Sequence, residues 1–311
     1  MFKSLTIYQL TQATDAVLKR LDTALASKPF TPCGDKVQRS TGFVKPLGDD
    51  SEVISYSANG GTLFCLRTDE KALPAAAVKL LVADQVRELG DKLDTENKTD
   101  MRLLKEEITD RLLPGATPAP SWTFAYIDRE LAMMFVGASE AGADEFVEAF
   151  KDAFKALPIM LLGVEEDPCT IFTEWLRNPS ELGEVFTLGD SCSLKHAKEG
   201  GTANIQIQHD ELDSDEIKEM LEAGKECCRI GLVHEDMSFA ITSKLGIRSI
   251  QLSDDVKAEI AEDPHTSTQS SEFAAFVTVM RGVMRDLEPL LGGWPKQEVL
   301  DLEDTQEGAA A

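Results

Sequence analysis

The chain has 311 residues, of which 42% are apolar, so it is long enough for one large hydrophobic core or two ordinary ones. No apolar run approaches the roughly eighteen residues that a bilayer crossing needs, and the N-terminus lacks the pattern of a secretory signal. We therefore expect a cytoplasmic protein without a membrane partner. The formal net charge of −24 excludes a uniformly basic surface but permits a local basic patch.

The first third of the chain predicts strands separated by a helix. Apolar alternation predicts a strand at Leu5–Leu10, and helical periodicity predicts a helix at Asp15–Ala26. Two further strands, Val53–Tyr56 and Thr62–Arg67, flank the hairpin-turn sequence Asn59-Gly60-Gly61.

A helical pattern follows between Pro74 and Leu113, interrupted by the polar stretch Asp94–Asp100. Two helices joined by that bend, forming a protruding helical hairpin, are the simplest interpretation. The proline-rich segment Gly115–Pro120 then predicts a rigid break in the chain.

The rest of the chain predicts strand pairs followed by helices. The strands are Trp122–Asp128, Leu131–Gly137, Cys228–Val233, Phe239–Thr242 and Gly246–Leu252. The helices are Ala141–Leu157, Glu216–Gly224, Ser253–Ala261 and Glu272–Leu291. The acidic end, Leu300–Ala311, predicts a disordered tail.

Hairpins followed by helices, without strict β-α-β alternation, predict an α+β fold with mostly antiparallel sheets and packed helices. We divide the chain into five consecutive regions. They are an N-terminal α+β region (1–73), the helical hairpin with a finger (74–121), a strand-strand-helix region (122–170), a C-terminal α+β region (171–295) and the acidic tail (296–311).

Cysteine and histidine spacing gives no sign of a metal site. No two cysteines are spaced as C-x-x-C, and the adjacent Cys227 and Cys228 suit neither a metal knuckle nor an ordinary disulfide. The histidines lie far apart, and His234 falls in a predicted turn, where a solvated imidazole is the simpler interpretation. We expect reduced thiols, no metal and no other cofactor.

No nucleotide-binding, metalloprotease or nucleophile-elbow motif occurs in the chain, so we expect a binding protein and not an enzyme. The acidic run His209–Glu216 is interpreted as a helix start, with Asp213 or Ser214 as the N-cap, in preference to a metal site. The acids at Glu165–Asp167 predict a polar turn before Pro168.

A set of short segments, in shared order from residue 2 to residue 293, resembles the RdgC family. The segments are FKSLTIYQL (Phe2–Leu10), FTPCG (Phe30–Gly34), EKALPAAAVK (Glu70–Lys79), LLP (Leu112–Pro114), TEWLR (Thr173–Arg177), LDSDEI (Leu212–Ile217), EAGK (Glu222–Lys225) and LGG (Leu291–Gly293). The resemblance implies a homodimer closed into a ring whose hole admits duplex DNA. It also implies DNA binding with little sequence preference, restraint of RecA-driven recombination, and a place in the nucleoid. The implied partners are double-stranded DNA, a second copy of the chain and the RecA recombinase.

The resemblance also implies where DNA would be contacted, and there this chain departs from the family. Gln206 stands where an arginine is common, and Gln208, His209 and Asp210 stand where lysines and a glutamine facing the hole are typical. Trp122 is the only aromatic residue near the position of a family finger segment, and the alternative for it is a packed strand residue. The full set of candidate DNA-binding residues is Gln206, Gln208, His209, Lys225, Arg229, Lys244, Arg248 and Trp122.

Three hypotheses follow. The first is a ring that encloses duplex DNA, and the second is a protein of the same fold that acts through protein contacts or DNA mimicry. The second arises because residues 201–226 hold eight acids against two bases. The third, a metal-dependent exonuclease, requires three or more converging carboxylates.

Overall fold

The structure is a computed structural model that describes residues 1–48, 52–90, 94–196, 204–261 and 268–295. The described residues form eight α-helices and twelve strands with a large antiparallel sheet, so the predicted α+β class is confirmed. The predicted acidic tail lies outside these residues. Among the described helices, none combines the length and the apolar character that a bilayer crossing requires.

The elements in chain order are as follows. The strands are β1 (Ser4–Leu10), β2 (Arg39–Val44), β3 (Tyr56–Ala58), β4 (Gly61–Lys71), β5 (Pro118–Asp128), β6 (Met133–Val136), β7 (Ile159–Leu161), β8 (Thr187–His196), β9 (Asn204–Gln208), β10 (Lys225–Val233), β11 (Met237–Thr242) and β12 (Ile247–Leu252). The helices are α1 (Thr14–Ser27), α2 (Ala75–Leu89), α3 (Lys98–Leu112), α4 (Glu140–Phe154), α5 (Pro168–Arg177), α6 (Asp215–Glu222), α7 (Asp254–Ala261) and α8 (Thr268–Leu290).

The predicted hairpin around Asn59 is confirmed, but its first strand was placed wrongly. The strand is Tyr56–Ala58 and not Val53–Tyr56. Asn59 and Gly60 both have positive φ angles, 47° and 80°, which is the conformation of a two-residue hairpin turn. Because such a turn joins strands directly, pairing must extend to Ala58, which lies opposite Gly61.

The predicted rigid break at Gly115–Pro120 is also wrong in part. A short 3₁₀ turn ends at Gly115, and β5 already begins at Pro118, four residues before the predicted start at Trp122. Proline holds φ near the extended range and biases the preceding residue to extended geometry, so Pro-Ala-Pro can enter a strand at its first residues. Strands β2, β7, β8 and β9 and helix α5 were not predicted from the sequence.

The chain divides into two compact units, each built from separated segments. Unit 1 holds residues 1–27, 45–65 and the described residues from 123 onward, and unit 2 holds residues 28–44 and 66–122. The five consecutive regions that we defined from the sequence are not tested by this division and stay a prediction.

In unit 1, strand β1 is the centre of an antiparallel arrangement. Its first residues pair with β12, as Leu5 with Ile247, and its later residues pair with β6 and β7 on its two edges. Beyond β12 the order continues through β11, β10 and β8 to β9. Neighbouring strands pair with both edges of β1, and the side chains of Leu5 and Ile7, which share one face of it, are buried in the hydrophobic core.

The long helix α8 supplies much of the core of unit 1. Its buried side chains recur at three- and four-residue spacing and include Phe273, Phe276, Met280 and Leu287. Phe273 and Phe276 both meet the ring of Tyr126 edge-on. Such edge-to-face aromatic contacts stabilise the core beyond the contribution of the apolar area that they bury.

A buried ion pair fastens α8 to two hairpin turns of unit 1. The Asp128 carboxylate is 1% exposed and accepts hydrogen bonds from Nε of Arg281 at 2.9 Å and from the backbone N–H groups of Glu130 and Leu131. Nη2 of Arg281 also donates to the carbonyl oxygen of Asn59 at 2.6 Å. The Arg281 guanidinium therefore donates hydrogen bonds to acceptors in both the β3–β4 and the β5–β6 turns.

Unit 2 contains the predicted helical hairpin. Helices α2 and α3 pack through Val78, Leu104 and Ile108, and α3 begins with the Asn97 side chain accepting from the Thr99 N–H at 3.0 Å. The first half of β5 and the second half of β4 lie next to each other and β2 borders β4.

Three segments of the family resemblance meet at one buried lysine of unit 2. Nζ of Lys71 donates to the carbonyl oxygens of Gly34 at 2.9 Å, Asp35 at 3.2 Å and Leu113 at 3.1 Å. Lys71 belongs to EKALP, Gly34 to FTPCG and Leu113 to LLP. A buried ammonium needs such acceptors, so these three segments constrain one another.

We predict that Arg281→Met lowers the free energy of unfolding by about 3 kcal/mol, because it leaves the Asp128 carboxylate buried without its counter-charge. The matched variant Arg285→Met removes only an ion pair of half-exposed groups with Glu130 and should cost less than about 1 kcal/mol. Urea denaturation of both variants gives the comparison. Equal losses in the two variants would contradict the role assigned to the buried pair.

Candidate functional site

Strands β8, β9 and β10 present one polar face, which we call the polar strand face. Opposite residues of an antiparallel pair point to the same side, and the register places Gln206, Ser193 and Arg229 in one cross-strand row. The next row on this face pairs Gln208 with Ser191, and the previous one holds Asn204, Lys195 and Glu226. In β9 the exposed residues are these amide side chains, and Ile205 and Ile207 between them are half-buried.

The other face of the same strands is apolar and covered by helices. Its residues, Cys192, Leu194, Cys227 and Ile230, are all at most 2% exposed. Helices α5 and α6 both contact β10, and Thr173 of α5 accepts a hydrogen bond from the Cys227 N–H at 2.9 Å. The cysteines among these residues are free thiols, as are the others in the chain.

The exposed acids of helix α6 lie on the side of the strands opposite to the polar strand face. Ile217 and Leu221 of α6 are buried and belong to the same core as Leu194 and Ile230. The helix therefore lies on the apolar side of the strands, and its exposed acids lie on that side with it. They are Asp215, Glu216, Glu219 and Glu222.

The acidic run before α6 behaves as the helix start that was predicted. Ser214 occupies the N-cap position, and Asp215 and Glu216 lie in the first turn, near the positive end of the helix dipole. The Ser214 hydroxyl makes no capping bond. Over the described residues, no group of three His, Cys, Asp or Glu side chains is arranged to hold a metal ion.

Arg229 is the best-placed cation of the polar strand face. Its Nη2 donates to Oγ of Ser249 at 3.0 Å, which links β10 to β12 across the sheet. Its Nε is buried, and no described residue accepts a hydrogen bond from it. Lys225, another candidate, begins β10 opposite His196, and the register places it on the other side of the strands from Lys195.

His209 lies in the turn after β9. Its backbone φ is 58°, its side chain is 88% exposed, and Nδ1 lies 3.0 Å from Oδ2 of Asp190. The pair is open to solvent, so it holds the turn only weakly.

Lys244 and Arg248 belong to a different cluster, around the Glu140 carboxylate at the start of α4. Nζ of Lys244 lies 2.5 Å from Oε2 of Glu140 and stays exposed. Arg248 is only 17% exposed, and its Nη1 donates to the carbonyl oxygens of Leu5 and Ile247 at 2.6 and 2.9 Å. Burial lowers the pKa of Arg248. Its guanidinium is thus occupied within the fold.

Trp122 belongs to unit 2 and is 53% exposed, so the alternative of a residue packed in the core is wrong. The Arg67 guanidinium lies 5.7 Å from the centre of its ring and 4.3 Å from that of Phe30. Asp69, which is almost fully buried, holds Arg67 through two bonds of 2.8 and 3.0 Å. Arg67 is not among the residues predicted from the sequence, although Arg67 and Asp69 at i, i+2 of one strand must share a face.

The prediction of a solvated His234 is wrong. Its side chain is 8% exposed, because α8 passes over the β10–β11 turn. Nε2 lies 3.3 Å from Oδ2 of Asp286, Nδ1 accepts from the Asp236 N–H at 3.2 Å, and the ring packs on Phe186. The local sequence of the turn cannot predict a contact with Asp286, which lies far along the chain in α8.

Comparison with known proteins agrees with the segment order found in the sequence. The family model described as "Putative exonuclease, RdgC" matches residues 1–294. The chain belongs to the RdgC family. It is 33% identical to the recombination-associated protein RdgC of Aeromonas hydrophila, over 94% of this chain and 98% of that protein. It is 31% identical to the protein of the same name from Proteus mirabilis, over 92% of this chain and 95% of that protein.

We predict that Arg248→Met lowers the free energy of unfolding by about 2 kcal/mol, because the carbonyl oxygens of Leu5 and Ile247 lose a charged donor. Lys244→Met, which removes an exposed ion pair with the same Glu140, should cost less than about 1 kcal/mol. Thermal denaturation distinguishes the two variants. If Arg248→Met unfolds at the wild-type temperature, the guanidinium is not a structural group.

Proposed function

We propose that this RdgC family member binds double-stranded DNA without sequence preference and restrains strand exchange by a RecA-type recombinase. The relatives' name, recombination-associated protein, supports the process. The observation that carries the binding step is the segregation of charge around β8–β10. Amides, Lys195 and Arg229 occupy the polar strand face together with one acid, Glu226, whereas the four exposed acids of α6 lie on the opposite, helical side.

Phosphate contact explains how such a face can bind DNA in a chain of net charge −24. Screening limits the reach of exposed charges to about 8 Å at physiological ionic strength, so distant acids matter less than local donors. Arg229 and Lys195 would neutralise phosphates, and the amides of Gln206 and Gln208 would donate hydrogen bonds to them. With few cations, the affinity should be modest and strongly dependent on salt.

The pair formed by Arg67 and Trp122 gives unit 2 a second kind of contact. An exposed indole can stack on a base, and a guanidinium fixed by Asp69 can meet a phosphate. This use needs an unstacked or terminal base, so it adds to duplex binding and does not replace it.

We further propose that two copies of the chain form the homodimeric ring that the family resemblance implies, and that the ring acts at the nucleoid. Enclosure would retain duplex DNA even where individual phosphate contacts are weak. We also propose that the ring contacts the recombinase directly.

The description of the family as an exonuclease motivates a control. Incubation of duplex DNA with the protein and Mg²⁺ or Mn²⁺ should leave the DNA intact, because the described residues offer no cluster of three metal-binding side chains. Shortened DNA would contradict this expectation and would indicate that the protein is a nuclease.

We predict that Gln206→Lys together with Gln208→Lys tightens duplex binding and steepens the dependence of log K on log salt by about two. The matched double variant Glu216→Gln with Glu219→Gln raises the net charge equally, but on α6, and should leave the slope unchanged. Fluorescence anisotropy of a labelled duplex across a salt series measures both.

Two results would contradict the proposal. Equal slopes for the two double variants would place the DNA elsewhere. Absence of salt-dependent retention by the wild-type protein at low ionic strength would favour action through protein contacts.

A further inference from the structure

A cavity of about 390 Å³ opens in unit 1 between the first residues of the chain, strand β12 and helices α7 and α8. None of the candidate DNA-binding residues is among its lining residues. Its volume falls within the range of about 300–1,000 Å³ that is typical of small-molecule sites.

The walls of the cavity are apolar. Phe2 and Phe276 contribute rings that pack on each other with centroids 4.8 Å apart, and Ile250 lies on β12 beside them. Leu252 and Ile260 are only half-buried although both are apolar. A ligand that covered these side chains would gain the hydrophobic free energy that the protein alone leaves unused.

The charged groups of the lining favour an anion. Lys3 and Lys257 both line the cavity and both are exposed. The acid of the lining, Glu272, is paired with the amino group of Met1. Lys257 also contacts Asp254 at 2.9 Å, but that pair is exposed at the surface and contributes little.

We propose that this cavity binds a small amphipathic carboxylate, with an apolar body against Phe2, Ile250 and Phe276 and an anionic head at Lys3 and Lys257. Aromatic and aliphatic walls with a few convergent polar groups are the usual composition of such sites. The two lysines stand at the charged positions of the lining, so they select the sign of the head group, while the walls select the apolar body.

Three probes separate the contributions. Decanoate has both the apolar body and the carboxylate, decylammonium has the same body with the opposite charge, and acetate has the carboxylate alone. Calorimetric titration of the full chain should show saturable binding of decanoate, with decylammonium and acetate at least tenfold weaker. Equal binding of decylammonium, or no saturable binding of decanoate, would overturn the proposal.

Location is tested with methionine methyl NMR and with variants. Met1 is the methionine in the cavity lining, so decanoate should shift its methyl signal and leave that of Met134, which is fully buried, unchanged. Lys3→Gln with Lys257→Gln should weaken decanoate about tenfold. The control, Lys98→Gln with Lys105→Gln on α3, removes two exposed lysines from unit 2 and should have no effect. An unshifted Met1 signal, or equal weakening by both pairs, would place the ligand elsewhere.

Discussion

The burial of one face of β8–β10 beneath α5 and α6 is the constraint on which the candidate site depends. Cys227, Ile230 and Leu194 must point into that core, and strand alternation then forces Arg229 and Gln206 to the opposite side. A slip of one residue in register would bury the arginine and expose the core, so hydrophobic packing enforces the position of the polar strand face. The same packing places α6, through its buried residues, on the apolar side.

Segregation of this kind reconciles an acidic chain with a proposed DNA-binding role. Net charge describes the whole molecule, whereas phosphate contact depends on groups within a few ångströms. The four exposed acids of α6 account for part of the charge without facing the strands that carry Arg229 and Gln206. The amides of β9 donate hydrogen bonds without adding charge, which suits weak contacts of little sequence preference.

Local pattern predicted most of the helices and strands, and it failed where distant residues decide the outcome. The spacing of Phe146, Phe150 and Phe154 predicts α4 because one helix face suffices to define it. His234 needed knowledge of α8, and the exposure of Trp122 needed knowledge of what covers β5, neither of which lies in the local sequence. Among the candidate residues, Arg248 reads as a surface cation in sequence, although its donors are used by backbone carbonyls of β1 and β12.

Amide hydrogen exchange of the full chain, with and without a saturating duplex at low ionic strength, shows whether DNA lies on the polar strand face. DNA should slow exchange in the edge strand β9, which carries Gln206, and in the part of β10 around Arg229, and it should leave α6 unchanged. Protection of α6 with none in β9, or no protection anywhere under conditions where DNA is bound, would contradict this expectation.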